Sequence, residues 1–578
     1  MEPAPQRPLP EGYYVANFIT LLDQVEQRYG DLLTAEEHSL RERFLGLSEG
    51  AQRLYVRLAS RRGPVFRRDR LAYPEIPRLD AALEDLEAAH LGDRGDPDDF
   101  APRIGLLLKA ELTDLARQLL PHQRVSGESK ADLRQRLLDE ASPASLSLVL
   151  GDFEVVRPLD LELVDLYQLL FFGNFGQNLT EFVLRDLGVV TFESYSLDPD
   201  LRRFPDRVAL DDTLELHTIR QHLAELLEAG DVDAVEAVGR SVLARCDPWH
   251  QLCQRPLDSL LLAAGRALER ASRCHAALAL FEPVKRPPGR ERRARLHHRL
   301  GRDDEALALC TAMTAEPRDE TEIAFADRFA HLVLRRQGKA EPRPRPRRCS
   351  QDLALPCGEP DDGAIEERVL AHFANHGRQG FFAENWLWRS LYGLAFWDIV
   401  FAPVAGAFEH PFQYGPLDLT RPDFRPPREG LIEARLDHLR HHREIGSLSR
   451  ELLATYERKR GLANRLVPWN EELKSALELA LGRLHGPQLA AVCDRLSGGL
   501  RRYGRGLPDL FVTAADPDDL GFTLYEVKGP GDTLRPEQGR WIDFLNRNRL
   551  PTKLLRVTWR SDAACYDRVD GESPSPPP

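Results

Sequence analysis

A chain of 578 residues is too long for one hydrophobic core and predicts three or four domains. Its formal net charge of -13 excludes indiscriminate polyanion binding, while leaving room for local basic patches, and its 42% hydrophobic content is that of a globular protein. The eight cysteines are scattered from Cys246 to Cys565 with no Cys-x-x-Cys pair, and nothing completes a zinc set around Cys246, His250 and Cys253, so they read as reduced structural residues.

In chain order, Met1-Glu2-Pro3-Ala4-Pro5 is neither basic nor apolar enough for a signal peptide, and the protein is expected to be cytoplasmic. Residues 1–100 read as a helical, winged-helix-like domain. Leu54 to Leu58 gives an apolar face, Val65 to Leu71 alternates loosely like a strand or wing, and residues 79–91 resume helical spacing. A packing role for this domain is an equal alternative. Residues 101–200 hold a helix–turn–helix pattern: Leu106 to Leu112, then Leu115 to Leu120, a loop with Gly127, and Ser129-Lys130-Ala131-Asp132-Leu133 leading to Leu137-Leu138. Ser129 is a candidate N-cap, with Asp132 three positions on. The pattern resembles the SAP module, a two-helix DNA-binding element, and places Lys109 and Lys130 near phosphates.

Residues 201–336 are helical with repeated Ala/Leu spacing, and Gly301 to Ala308 is similar to a tetratricopeptide-repeat turn and second helix. The period is uneven, so an irregular helical domain is the alternative. Residues 337–363, rich in Pro and Arg, read as a linker lacking helix and sheet. Residues 364–570 form the expected C-terminal α/β domain, and 571–578 a disordered tail. Within the α/β domain the apolar run 391–408 is nearly long enough to span a bilayer. It carries Asp398 and Pro403, so a buried core helix is expected and no membrane association. Basic clusters occur at Arg67-Arg68-Asp69-Arg70, 290–299, 343–348, and Arg501-Arg502 with Arg505. Singly, each is explained by a solvated face.

The chemistry concentrates near the C-terminus. Gly506-Leu507-Pro508-Asp509-Leu510 leads into a short β-like run, and Leu524-Tyr525-Glu526-Val527-Lys528-Gly529 ends a second one. Residues two apart on a strand share a face, so Glu526 and Lys528 project together. Asp509 and Glu526 are hard oxygen donors suited to Mg²⁺ or Mn²⁺, one ion or two, and the Val527 carbonyl is a further candidate ligand. Lys528 can position a water or offset charge growing on a phosphate in transfer. A tight turn from Gly529 precedes a helix starting near Pro536, which puts Gln538 at the catalytic end of the strand to orient water or phosphate. Glu384, before an aromatic-rich helix, is either a further ligand or a residue stabilised by the helix dipole. Pro-Asp and Glu-x-Lys each occur often in ordinary proteins; their combination with the turn and Gln538 does not.

Arg505 to Leu510, Glu526 to Pro530 and Leu534 through Gln538 to Trp541 resemble the virus-type replication-repair nuclease domain, of the PD-(D/E)xK superfamily. With Glu384, Ser390 to Phe401 and Pro416-Leu417-Asp418-Leu419, the chain resembles the Fanconi-associated nuclease family along almost its whole length. That resemblance implies Glu384, Asp509, Glu526 and Lys528 as catalytic positions. It also implies cleavage of branched DNA at 5′ flaps, 5′-to-3′ exonuclease action, and a role in DNA repair, including repair of interstrand crosslinks. Family members hold a 5′-terminal phosphate in a basic pocket, for which Arg290, Arg292, Arg293 and Arg295 are candidates by charge. No Cys/His set precedes Cys246, so the ubiquitin-binding zinc finger of the animal version is not expected, and a bacterial form acting at the nucleoid is. A four-way-junction resolvase and a non-catalytic DNA-binding scaffold are the alternatives.

Overall fold

The computed structural model describes residues 12–560 except 62, 64, 97–98, 121–126, 151–153, 178–189, 342–347, 357–363, 385 and 517. The expected tail at 571–578 and most of the 343–348 basic cluster therefore lie outside the described residues. The chain folds as two compact units. One joins Met1–Arg203 to Arg348–Pro578, and the other is Phe204–Arg347. In the first unit the N-terminal segment is thus part of the same body as the nuclease-like segment, although a linear reading separates them.

The N-terminal helices Tyr13–Tyr29, Ala35–Leu45 and Glu49–Ala59 enclose Phe18, Phe44 and Tyr55, whose rings meet at 4.8 to 6.3 Å. Thr34 and Glu37 form a capping box that starts the second helix, as their spacing requires. A small sheet follows, of β1 (Phe66–Arg67), β2 (Gly92–Asp93) and β3 (Val155–Pro158), in the order β1-β3-β2. Its central strand comes from beyond the two SAP-like helices, Lys109–Leu119 and Lys130–Glu140, which are an insertion between strands with a small core of their own. Ser129 and Asp132 cap the second of these helices reciprocally.

In the second unit, helices from Arg207–Ala229 to Glu320–Arg336 pack each against the next. Their apolar faces fill two cores, one around Leu261, Leu268 and Phe281, the other around Phe325, Phe329 and Met313.

The C-terminal sheet has the order β4-β8-β7-β6-β5, from β4 (Ser350–Pro356), β5 (Gly380–Phe382), β6 (Leu510–Thr513), β7 (Phe522–Lys528) and β8 (Thr552–Arg560). β4 and β7 run parallel to β8, while β6 is antiparallel to both of its neighbours, β5 and β7. Helix Ile365–Asn375 covers one face through Val369 and Phe373; helix Pro536–Arg547 covers the other through Trp541 and Leu545. Strand β4 corrects the expectation of a structureless linker over 337–363. The alternation of Gln351, Leu353 and Leu355 survives beside the proline-rich stretch, and Leu355 is buried against β8.

A helical insertion between β5 and β6 carries the long apolar run. The run is not one helix: Leu387–Ala395 ends at Phe396, whose backbone leaves the helical region, and a short helix Trp397–Val400 restarts. Bulky neighbours accompany the break, since Tyr392 stacks on Phe396 at 4.8 Å and Trp397 meets Phe401 at 5.5 Å. Asp398 pairs with Arg435 on the surface and Asp418 with buried Arg428, so neither joins the carboxylate cluster. Among the described residues no helix is long and apolar enough to cross a membrane.

Candidate active site

Strand periodicity assembles the site. On β6 and β7 the register pairs Leu510 with Tyr525 and Phe511 with Leu524. One step further along, it sets Asp509 opposite Glu526. Tyr525, Val527, Leu510 and Val512 face the core under helix Ile365–Asn375, whereas Phe511, Phe522 and Leu524 face the other core. With period two, Asp509, Glu526 and Lys528 continue that second face beyond the apolar pairs. The same alternation that buries Phe522 and Leu524 therefore carries Glu526 to 0% exposure and Asp509 to 6%. Under them Phe381, Phe511 and Phe522 form a stack with centroid spacings of 5.4 and 4.7 Å.

Asp509 is fixed from two sides. Its Oδ2 accepts from the Val527 amide at 2.7 Å, and its carbonyl accepts from the Ala383 amide at 2.7 Å. The second bond extends the β5–β6 ladder by one residue and brings Glu384 to the site immediately after the strand ends. Trp386, not Glu384, occupies the N-cap position of Leu387–Ala395, so Glu384 precedes the cap by two residues. Lys528 Nζ donates to Glu526 Oε1 at 2.7 Å and to the Val527 carbonyl at 3.0 Å.

The electrostatics are those of crowded buried acids. Burial pushes Asp509 well above the ordinary carboxylate range, and Glu384 and Glu366 add to the rise, against the Val527 amide and Lys528. Burial likewise raises Glu526, with repulsion from Asp509 and Glu384, against Lys528. Glu526 Oε2 is buried with no hydrogen-bond partner. An unpaired buried carboxylate oxygen among other acids fits a hard divalent cation, which would supply the missing positive charge.

Gln538 is N3 of helix Pro536–Arg547, and its side-chain oxygen accepts from the Arg535 amide at 2.9 Å. That oxygen caps the helix. The helix start is nonetheless next to the segment that leads into Asp509. Trp541 Nε1 donates to the carbonyls of Tyr503 and Arg505, and a Cβ on Gly506 would meet the Gln538 backbone nitrogen at 3.0 Å.

Residues not singled out in the sequence also reach this region. Glu366, on the first helix of the domain, acts electrostatically on Asp509. It lines, with Gln379, Glu384, Trp386 and Glu472, a cavity of about 840 Å³. Arg389 is half-buried, donates to the Gly504 carbonyl at 2.7 Å, and is electrostatically coupled to Arg505 and Glu384. An arginine just before the apolar run, in Trp388-Arg389-Ser390, is the signal in the sequence that points to it.

The other candidates are placed separately. Lys109 and Lys130 are exposed at the first turns of the SAP-like helices. The arginines proposed by charge do not form a free basic pocket. Arg290 pairs with buried Glu322, Arg292 with Glu269 and Arg293 with Glu282, while Arg295 stacks over Phe325. Of the four, only Arg292 lines a basic cavity of about 370 Å³, with Arg266, Arg270, Arg299 and Glu269. Arg67 and Arg68 are likewise committed, to Asp69, Glu111 and Asp80.

Comparison with known proteins identifies the family. The family described as FAN1, HTH domain matches residues 12–91, and the VRR-NUC domain matches residues 444–559. A Fanconi-associated nuclease 1 homolog from Pseudomonas aeruginosa is 33% identical over 96% of this chain and 97% of its own length. The Arabidopsis thaliana homolog is 26% identical over 94% of this chain and 67% of its own, and the Homo sapiens protein 27% over 93% and 61%. A crystal structure of paFAN1 bound to 2nt 5′ flap DNA with gap superposes with a TM-score of 0.83 at 32% identity, over 96% of this chain and 100% of that one. With one relative matched at this identity along nearly both full lengths, the chain belongs to the Fanconi-associated nuclease 1 family and is a nuclease of that family.

Proposed function

We propose that this nuclease is an Mg²⁺- or Mn²⁺-dependent phosphodiesterase that incises DNA at 5′ flaps, degrades 5′ to 3′, and serves DNA repair, interstrand crosslinks included. We place it in the cytoplasm, acting at the nucleoid. The observation that carries the reading is the buried, unpartnered Glu526 oxygen at the meeting point of Asp509, Glu384 and Lys528. The flap substrate is supported by the similar paFAN1 structures, which hold 5′ flap DNA.

Glu384, Asp509, Glu526 and the Val527 carbonyl would hold one or two ions. Bound there, a divalent cation supplies Lewis-acid charge to the scissile phosphate. Lys528 spans Glu526 and the Val527 carbonyl, so freeing that carbonyl requires its ammonium to turn away. The released ammonium then has a donor to spare for the attacking water or a phosphate oxygen, at a point set by the rigid strand. Asp509, clamped through the Val527 amide, keeps one oxygen fixed and presents the other. The Gln538 amide nitrogen and the Arg389–Arg505 pair would contact the phosphates beside the cut. Lys109, Lys130 and Arg292 would contact other phosphates, and such contacts set position and carry no base information.

The test is a panel of end-labelled 5′ flaps, four-way junctions and matched linear duplexes, cut in Mg²⁺ and in Mn²⁺. Preferred incision at the flap, abolished by Asp509→Ala or Glu526→Ala with DNA binding near normal, is the expected result. Preferred junction cleavage supports the resolvase reading. Binding without metal-dependent cleavage supports the scaffold.

A further inference from the structure

A second cluster of metal-type ligands lies in the helical insertion, outside the carboxylate site. Helix Glu429–His441 ends in Leu436-Asp437-His438-Leu439-Arg440-His441 and is followed by His442, and helix Ser449–Lys459 begins beside it. His438 is in the last turn of the helix and His442 is its C-cap residue, and their rings lie 4.9 Å apart. His438 Nε2 lies 2.8 Å from Glu451 Oε2, and His442 Nε2 lies 4.0 Å from the same oxygen. Among the described residues this is the only trio of His, Cys, Asp or Glu whose ligand atoms all lie within 4.8 Å of one another. His441 is turned away, its Nδ1 on the Asp437 carbonyl at 2.6 Å.

The backbone behind the trio is held in place. Gly486 donates to the His442 carbonyl at 2.8 Å, and His485 Nδ1 lies 2.7 Å from the Arg443 carbonyl. Leu448 and Leu452, on either side of Glu451, are buried in the core. The helix end, with its exposed carbonyls, also favours a cation.

We propose that His438, His442 and Glu451 form a Zn²⁺ site that clips the two helices together and is separate from the nuclease centre. Two imidazoles and one carboxylate suit a borderline-soft ion over Mg²⁺, with a water completing four-coordination. Bonds of about 2.0–2.1 Å in a tetrahedron separate ligand atoms by roughly 3.3 Å. The 2.8 Å pair must open, and the 4.0 Å pair close, by less than an ångström each, within reach of these partly exposed side chains. The competing reading is a surface His–Glu ion pair with no metal, which contributes little.

The test uses the full chain carrying Asp509→Asn and Glu526→Gln, so that the nuclease centre does not take up the probe. After chelator treatment and its removal, Co²⁺ is titrated in. The expected result is visible d–d absorption of low-symmetry, four- or five-coordinate Co²⁺, saturating near one equivalent and displaced by Zn²⁺. Adding His438→Asn and His442→Asn should weaken Co²⁺ binding at least about tenfold and remove the rise in melting temperature that Zn²⁺ gives the parent. Should that variant not fold, Glu451→Gln carries the same comparison. No absorption at saturating Co²⁺, or the same titration in parent and variants, overturns the site.

Discussion

Glu526 has one oxygen on Lys528 and the other without a partner, in a fully buried side chain. A proton and a divalent cation therefore compete for the same carboxylates, since both relieve the repulsion that helps hold Glu526 and Asp509 above their ordinary range. Raised pKa values mean protons must be displaced before metal binds. The metal concentration giving half-maximal cleavage should accordingly fall as pH rises through neutrality. A metal requirement that is flat from about pH 6 to 8.5 in single-turnover assays would contradict this. Lys528 offers a second measurement. If it merely balances charge, Lys528→Arg retains activity. If its compact ammonium must turn from Val527 to the reacting centre, the planar guanidinium cannot take its place. Both Lys528→Arg and Lys528→Ala should then be slow by roughly a hundredfold or more, about 3 kcal/mol, with metal affinity largely kept. A Lys528→Arg rate within a few-fold of wild type would return the residue to charge balance.

At the scale of elements, the site depends on how the segment before β6 is held. Gly506 has φ +77, and a Cβ there would lie 3.0 Å from the Gln538 backbone nitrogen. Gly506→Ala should cost about 1–2 kcal/mol from the left-handed backbone alone. It should also slow cleavage more than about tenfold by shifting Asp509, a misplacement effect on the order seen when a catalytic group moves by ~1 Å. Chemical denaturation and single-turnover rates read the two effects separately; an unaltered rate would show the turn to be tolerant. Part of this geometry is legible in the sequence, because period two is local information: Glu526 and Lys528 share a face as their spacing requires, whereas Asp509 joins them through the β6–β7 register. Ser129 and Asp132 are a capping box for the same reason. What is not legible comes from non-local packing. Glu384 reaches the site only because the Asp509 carbonyl binds the Ala383 amide across strands far apart in sequence. The arginines at 290–295 stand out by charge alone, and the sequence does not show that their carboxylate partners lie on neighbouring helices. Strand β4 is hidden because proline-rich flanks outweigh a short alternation.

At the scale of the molecule, the first unit is sewn together by contacts between its two sequence-distant halves. Tyr195 stacks on Phe408 at 4.0 Å, and Arg28 donates to the Phe408 carbonyl at 3.0 Å. At the centre of this seam is Glu409, buried, accepting from Tyr29 Oη at 2.6 Å and 3.7 Å from the Arg28 guanidinium. Two effects oppose each other there. Burial disfavours the carboxylate, and Arg28, with Tyr29 and Arg203, favours it. Burial wins, because the arginine contact is long, and the Glu409 pKa rises from 4.5 to about 7. The sign follows from linkage. The folded state holds the proton more tightly than the unfolded chain, so this stabilisation is complete below about pH 4.5 and is lost as pH rises to about 7. The loss is roughly 3 kcal/mol. Glu409→Gln keeps the shape and the acceptor for Tyr29 but cannot ionise. Relative to wild type it should therefore gain stability steadily between about pH 5 and 7.5, by up to about 3 kcal/mol, and no further above that. Urea denaturation of both proteins across this range measures the difference. If the variant instead loses ground as pH rises, the Arg28 pairing outweighs burial and Glu409 is an ion-pair partner at the seam.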